Sequence, residues 1–434
     1  MDKYSGDRLN YKFKCGNQED PDVERAYYSA VTVNQNVEGG VNLHVPAIQD
    51  SFLDTSEFYY KVAVQIVKPD GGKIPDGTEP EGKPQLDVFL PGGFLNNLWE
   101  SCSVRLNGHP LKLVTSYPYV AQLLGVLSSS KAAREDVLGP LSGGIASSER
   151  TSLIAAADLN DKENFISLAT IAGSREVVLY GRIYSDFLQT LAQLLPDTVN
   201  LDIELTRGRD SFALGSPNPD AAYKIKINSV TLFAKRVEFN KPAMKILRDA
   251  MGPDDYYLKY QQYDSRLMWV AKGSSTFNWS SVFPTTRLPK RVFFFLVDQS
   301  SFSGAINRLP TFCQVDDVAE VRFQVDGRDV LPEPFKLTDI LYSVKPILVG
   351  LNTVTGGMFD NSTSAGLISE KDVTHGLAIY AANLPHAQSN SPRLGHFDLD
   401  VTFNSGTKRA LTAICVGEFD QCIKISHGRD IHML

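Results

Sequence analysis

The 434-residue sequence predicts an all-β protein made of two tandem β-sandwiches, on three observations. Apolar and polar residues alternate at period two in many short segments, as strands require, because successive strand side chains point to opposite faces. A set of features recurs in the same order in both halves, as expected if one unit of about 200 residues has been duplicated. Helical spacing is confined to two short stretches, so helices are expected only as brief insertions.

In chain order, residues 1–25 are polar and aperiodic and read as a flexible N-terminal arm. A first sandwich is assigned to 26–240. Within it, Phe58–Val67 carries aromatic and β-branched residues on both faces and suits a central strand. Lys68–Pro84 and Gly139–Ser148 are turn-rich and read as surface loops. Val104-Arg105-Leu106-Asn107-Gly108 is a strand running into an Asn-Gly turn, whose residues favour the positive φ of a tight hairpin. Asp186–Leu195 places Phe187, Leu188, Leu191, Leu194 and Leu195 on one helical face, with Pro196 as its stop. Val199–Leu205 alternates strictly, and the strand block Tyr223–Phe239 closes the half.

A second helix is predicted over Ala243–Ala250, flanked by Pro242 and Gly252-Pro253, inside an interdomain connection at 241–256. The second sandwich, 257–434, repeats the plan and ends in a C-terminal tail. Arg291–Val297 is its central strand, Phe323-Gln324-Val325-Asp326-Gly327 its strand and turn, Phe397–Phe403 its alternating strand, and Ala410–Ile425 its closing block. A proline follows each turn, at Pro110 and Pro332. If Gly327 sits at a left-handed hairpin position, Gly327→Val should impair folding more than Gly82→Val, which alters a loop.

Composition excludes several classes. Against 43 Lys+Arg stand 50 Asp+Glu, a net charge of -7. That excess of acid argues against wrapping DNA nonspecifically, which needs clustered cations to neutralise phosphates, and leaves at most local nucleic-acid contacts. The longest apolar run, Val292–Val297, falls far short of the roughly 18 residues of a membrane-spanning helix. The start Met1-Asp2-Lys3-Tyr4-Ser5 lacks a signal peptide's apolar core, so a soluble protein not exported by a cleaved signal is expected. Five cysteines, Cys15, Cys102, Cys313, Cys415 and Cys422, form no CxxC pair, and Cys415 and Cys422 read as strand residues in a reducing compartment. His427 and His432, with only Asp430 nearby, read as a solvated tail, and no metal or cofactor is expected.

No catalytic constellation emerges. Neither Gly72-Lys73 nor Gly82-Lys83 is followed by Ser or Thr, and GxSxG, HExxH and GxGxxG are absent. Asp254-Asp255 and Asp316-Asp317 lie in turn-like sequence, where adjacent carboxylates face apart. Arg287-Leu288-Pro289-Lys290-Arg291 reads as a turn with charges guarding a strand edge, the alternative being contact with nucleic acid or an acidic partner. Tyr256, Tyr257, Tyr260 and Tyr263 are either an aromatic platform for sugars or bases, or packing of the linker on the second sandwich. The sequons at Asn278 and Asn361 matter only in a secretory pathway. A non-enzymatic role follows, with a carbohydrate-binding or carbohydrate-active tandem sandwich as the rival.

Val104–Gly108, Tyr117-Pro118-Tyr119, Ala172-Gly173-Ser174, Gly181-Arg182, Leu205-Thr206-Arg207 and Asp210-Ser211-Phe212 occur in order in the first half. Tyr223–Ile227, Leu232-Phe233, Leu288–Val292, Leu296-Val297-Asp298, Phe302-Ser303-Gly304, Val325-Asp326-Gly327 and Gly417-Glu418-Phe419 follow. Together, over roughly 50–425, they resemble the double-jelly-roll major capsid proteins of the Polinton/Maverick and adintovirus lineage. The chain departs from the family's pattern at Leu309-Pro310-Thr311-Phe312 and in the Gly/Ser/Thr-rich stretch 352–374. The resemblance implies two jelly rolls side by side and homotrimers of pseudo-hexagonal outline, tiling an icosahedral shell around double-stranded DNA. It further implies a minor (penton) capsid protein as partner, and a place in the virion after assembly inside a host cell.

Overall fold

The computed structural model describes residues 22–33, 37–75, 88–131, 133–138, 141–142, 171–190, 194–216, 218–251, 256–314, 317–337, 344–355, 368–374, 376–384, 394–426 and 430–433. Among them the first half contributes β1 (Val23–Val33), β2 (Gly40–Val45), β3 (Ser51–Val67), β4 (Trp99–Leu106), β5 (His109–Pro110), β6 (Val177–Gly181), β7 (Leu201–Arg207) and β8 (Lys224–Phe239). The second contributes β9 (Tyr256–Val270), β10 (Thr276–Trp279), β11 (Arg291–Asp298), β12 (Cys313–Gln314), β13 (Val318–Val325), β14 (Arg328–Asp329), β15 (Phe335–Lys336), β16 (Tyr380–Asn383), β17 (Phe397–Phe403), β18 (Leu411–Ile425) and β19 (Ile431–Met433).

The duplication is visible in the sheet order. The first half pairs β1-β8-β3-β6 in a sheet of long strands and β2-β7-β4-β5 in a sheet of short ones. The second repeats it: β9 pairs β18, β18 pairs β11 and β11 pairs β16, opposite β10-β17-β13-β14. Eight antiparallel strands in two facing sheets, with neighbours drawn from distant parts of the chain, form a jelly roll. The chain is therefore a double jelly roll.

Alternation explains which faces are dry. On the short-strand sheets Leu201, Ile203 and Leu205 of β7 and Leu399 and Val401 of β17 are buried, while the intervening residues face water. The outward faces there are polar, with His44 beside Asp202, Arg105 beside Glu204, and Asn278 beside Asp400. In the second core Phe323 packs edge-on against Phe335, with ring centroids 5.6 Å apart, and Phe335 against Tyr380 at 5.5 Å.

The two tight turns are as expected. Asn107 and Gly108 have φ of 47° and 82°, Asp326 and Gly327 of 52° and 74°. Space around Gly327 is open, so the cost of a side chain there is backbone strain alone. Gly327→Val is expected to lose about 1–3 kcal/mol and Gly327→Asn much less, as read by urea denaturation. Equal midpoints for the two would contradict the turn assignment. Gly82 lies outside the described residues.

Several expectations shift. The helix from Asp186 runs to Thr190, and Leu195 is instead bridged to Leu53, its N–H donating at 2.8 Å, so the sheet claims a residue that helical spacing had assigned to the helix. The strand predicted over Val199–Leu205 starts at Leu201, because the Asn200 N–H donates to Asn107 Oδ1 at 2.8 Å in the neighbouring turn. Strand pairing begins at Val23, and β9 already at Tyr256. The tail is not wholly solvated, since Ile431–Met433 pairs with Ile423–Ile425. The helix Lys241–Met251 covers the predicted Ala243–Ala250, with Pro242 in its first turn, where its missing N–H costs nothing. Its Ala243, Met244 and Leu247 cap Phe52, Val237 and Phe239.

Candidate functional site: the seam between the jelly rolls

Every residue of β11 from Val292 to Asp298 is buried. Phe294 meets Tyr380 inside the second jelly roll, with centroids 5.9 Å apart. By alternation Phe293, Phe295 and Val297 point outward, as do Ile414, Val416 and Glu418 on β18, and all are at most 1% exposed. A sheet buried on both faces needs a second layer. Here that layer is the first jelly roll.

The helix Tyr117–Ser128 supplies the anchor. Its Tyr119 ring stacks on Phe302 at 5.7 Å and lies 6.2 Å from both Phe295 and Phe212. Its hydroxyl donates to the Pro310 carbonyl at 2.9 Å. Nearby Arg209 donates to the Ser303 carbonyl at 3.2 Å, and the Ser216 N–H to that of Ile306 at 2.9 Å. Gly304, at φ 82°, brings the turn after β11 against Phe212. Polar links extend the contact. Lys112 pairs with Asp264 at 2.9 Å, the Ser265 hydroxyl donates to the Thr115 carbonyl at 3.0 Å, and Lys131 pairs with Asp372 at 3.0 Å. Burial pushes the Asp372 carboxyl up, but hydrogen bonds from Ser369 and Lys131 outweigh it and hold the group below its ordinary value.

The tyrosine cluster singled out from the sequence lies here. Tyr260 packs edge-on against Phe187 at 5.6 Å, the Tyr256 hydroxyl donates to the Leu194 carbonyl at 3.2 Å, and Tyr263 donates through its hydroxyl to Glu418 at 3.0 Å. Tyr260 and Tyr263 are buried, as is Trp279 at 7% exposure, so these rings offer no platform to a sugar or base. Tyr260 and Tyr263 seat the second jelly roll on the helix Asp186–Thr190 of the first, whereas Trp279 packs against Phe277 on the short-strand sheet.

The basic cluster does not guard an open strand edge, because Arg291 starts β11, which is paired on one side by β18 and on the other by β16, and its charges are met within the protein. Arg287 donates to Gln421 at 2.6 Å, Lys290 lies 3.4 Å from Asp420, and Arg291 donates through Nε to the fully buried Glu418 at 2.8 Å. Of the acidic pairs, Asp317 sits in a turn and pairs with Lys408 at 2.8 Å; Asp254, Asp255 and Asp316 lie outside the described residues. Asn361, Cys15 and His427 lie outside them as well. No cluster of potential metal ligands, and no helix long and apolar enough to cross a membrane, occurs among the described residues. Burial pushes the Cys102 and Cys415 thiols well up, out of nucleophilic range.

Asp186 is the electrostatic oddity of the seam. Burial pushes its carboxyl up to about 7 against the Tyr263 N–H, which donates to Oδ2 at 3.0 Å. The folded protein keeps this proton up to about pH 7, whereas the unfolded chain loses it near its ordinary value of 3.8. Its contribution to stability is therefore largest in acid and falls as pH rises between those values. Asp186→Asn is expected to raise the melting temperature at pH 8 and leave it little changed at pH 4, as calorimetry would show; a variant less stable at both would reverse the assignment.

No family model matches the sequence, and no curated protein does. Solved structures do. A chain of the Sputnik virophage, determined by cryo-EM, superposes with a TM-score of 0.64 at 12% identity, covering 95% of this chain and 89% of that one. The mavirus major capsid protein gives 0.52 at 11%, covering 94% and 90%, and the Faustovirus major capsid protein 0.51 at 10%, covering 94% and 92%. The double jelly roll read from the sheet order is thus the fold that the mavirus and Faustovirus capsid proteins also carry.

Proposed function

We propose that the chain is a non-enzymatic structural protein, the major capsid protein of a virus or virus-like transposon of the Polinton/Maverick and adintovirus lineage. The observation that carries this reading is the seam: two jelly rolls of identical strand order are locked side by side by buried aromatics, making one chain a rigid pair of similar blocks. Over nearly its whole length the chain shares that fold with viral capsid proteins. Three such pairs approximate sixfold symmetry, so homotrimers of hexagonal outline would tile an icosahedral shell around double-stranded DNA, with a minor protein at the fivefold positions. The chain divides into an arm at 1–25, jelly rolls at 26–240 and 257–434, and a connection at 241–256. A net charge of -7 suits a shell whose DNA contacts are local or left to other proteins. The protein would assemble inside the host cell and reside in the virion capsid.

Light scattering and negative-stain imaging of the purified protein test this reading. Particles of three chains with hexagonal outline are expected. A strict monomer at micromolar concentration across all salt and pH conditions would overturn it.

A further inference from the structure

The four outward sheet faces differ in a way that the duplication makes informative. Both short-strand faces are polar, and the outward face of the second long-strand sheet is covered along β11 and β18 by the first jelly roll, with Leu267 and Trp269 on the neighbouring β9 left 42% and 60% exposed. Its repeat counterpart, the outward face of β1-β8-β3-β6, is covered among the described residues at its lower end alone, by the helix Lys241–Met251 on Val237 and Phe239. Above that, among the described residues, it is uncovered and carries aromatic rings beside Lys61 and the Lys235–Glu57 pair. Tyr59 stacks on Phe233 at 4.7 Å and meets Tyr28 at 5.4 Å, and on the edge strand β6 Val178 and Tyr180 are 46% and 37% exposed.

We propose that this open face is the intersubunit surface, seated against the second jelly roll of a neighbouring copy of the same chain. The inference rests on the capsid reading and deepens it by naming the partner and the residues. The occupant follows from the repeat: the one surface already seated on a face of this kind is a jelly roll of this protein. The open area spans four strands at about 4.8 Å and some seven residues at about 3.3 Å, roughly 500 Å² with side chains, more than half of the about 800 Å² per partner in a standard interface. Applying the in-chain relation once more places the second jelly roll of a copy on the open sheet. The contact is head-to-tail, and with two jelly rolls per chain it closes after three copies and six jelly rolls. On the presenting side, the helix Lys345–Thr355 is the counterpart of the helix that carries Tyr119: each follows the short hairpin of its jelly roll and has proline at its second position.

The test pairs a variant with a wild-type measurement. Val178→Glu with Tyr180→Glu charges the exposed edge while giving Lys61, opposite Tyr180, a cross-strand partner. The three-chain species is expected to be lost in sedimentation velocity, about a hundredfold or greater weakening, with near-UV dichroism retained. Thr206→Glu with Thr276→Glu, on the polar faces, is expected to leave assembly unchanged. In wild-type protein, nitration of Tyr180 mapped by mass spectrometry is expected to be slower in the trimer than after dilution to monomers, a readout independent of the variant's folding. Intact trimers in the Val178/Tyr180 variant, equal nitration in both states, or trimers lost on Trp269→Glu but not on Val178→Glu would overturn this surface and leave the capsid reading standing. A wild-type chain that never associates would instead remove the capsid reading itself.

Discussion

Replacing Arg291 by Ala is expected to destabilise the protein by about 3–5 kcal/mol, the largest single effect among its charged residues. Glu418 is fully buried on the outward face of β18, between the two jelly rolls, and Arg291 is its registered partner across the strand pair. The Tyr263 hydroxyl donates to the same Oε2, while Oε1 has no partner among the described residues. Once Arg291 is gone, a carboxylate with little solvation left must be protonated, rehydrated or expelled, and each route loosens the seam. Arg291→Met with Glu418→Gln removes both charges and is expected to recover most of the loss, since a neutral pair leaves no buried charge. Urea midpoints of the wild type and both variants check this. A loss under about 1 kcal/mol for Arg291→Ala would mean that the pair is far better hydrated than its burial indicates.

Tyr119→Ala is expected to cost about 3–5 kcal/mol and to weaken the coupling between the jelly rolls. The ring fills the space between Phe212, Phe295 and Phe302, drawn from both halves, so its removal opens a cavity at the joint rather than within either core. Unfolding should then broaden or split into two calorimetric transitions, because each half retains its own inter-sheet core. Tyr119→Phe keeps the packing and loses only the bond to the Pro310 carbonyl, expected at about 0.5–1.5 kcal/mol. A single sharp transition at the wild-type midpoint for Tyr119→Ala would remove this residue from the seam.

Legibility in the sequence tracked the range of the interaction. Phe397–Phe403 was readable as a strand because its alternation is set by residues two apart, and the structure gives it those bounds. Asn107-Gly108 and Asp326-Gly327 were readable as turns because the constraint lies in their own φ angles. Misplaced boundaries had distant causes: Leu195 is drawn from helical spacing by Leu53, and Asn200 from a strand by the Asn107 side chain. The tyrosines after residue 255 show the same limit. Their sequence favoured linker packing but left a ligand platform as the alternative, and only Phe187, Leu194 and Glu418, far away along the chain, decide for packing at Tyr260, Tyr256 and Tyr263.

By itself, then, the sequence determined an all-β chain with one plan run twice, since alternation and turn chemistry are local and a repeat needs no third dimension to be seen. The tertiary structure alone decided that β11 is buried on both faces while the sister face around Tyr59 and Phe233 stays open. Both strands carry aromatics at outward positions, and nothing within a few residues of either tells them apart. The difference arises because Tyr119, more than 170 residues before Phe295, folds onto one of these faces, and among the described residues no counterpart of it covers the other.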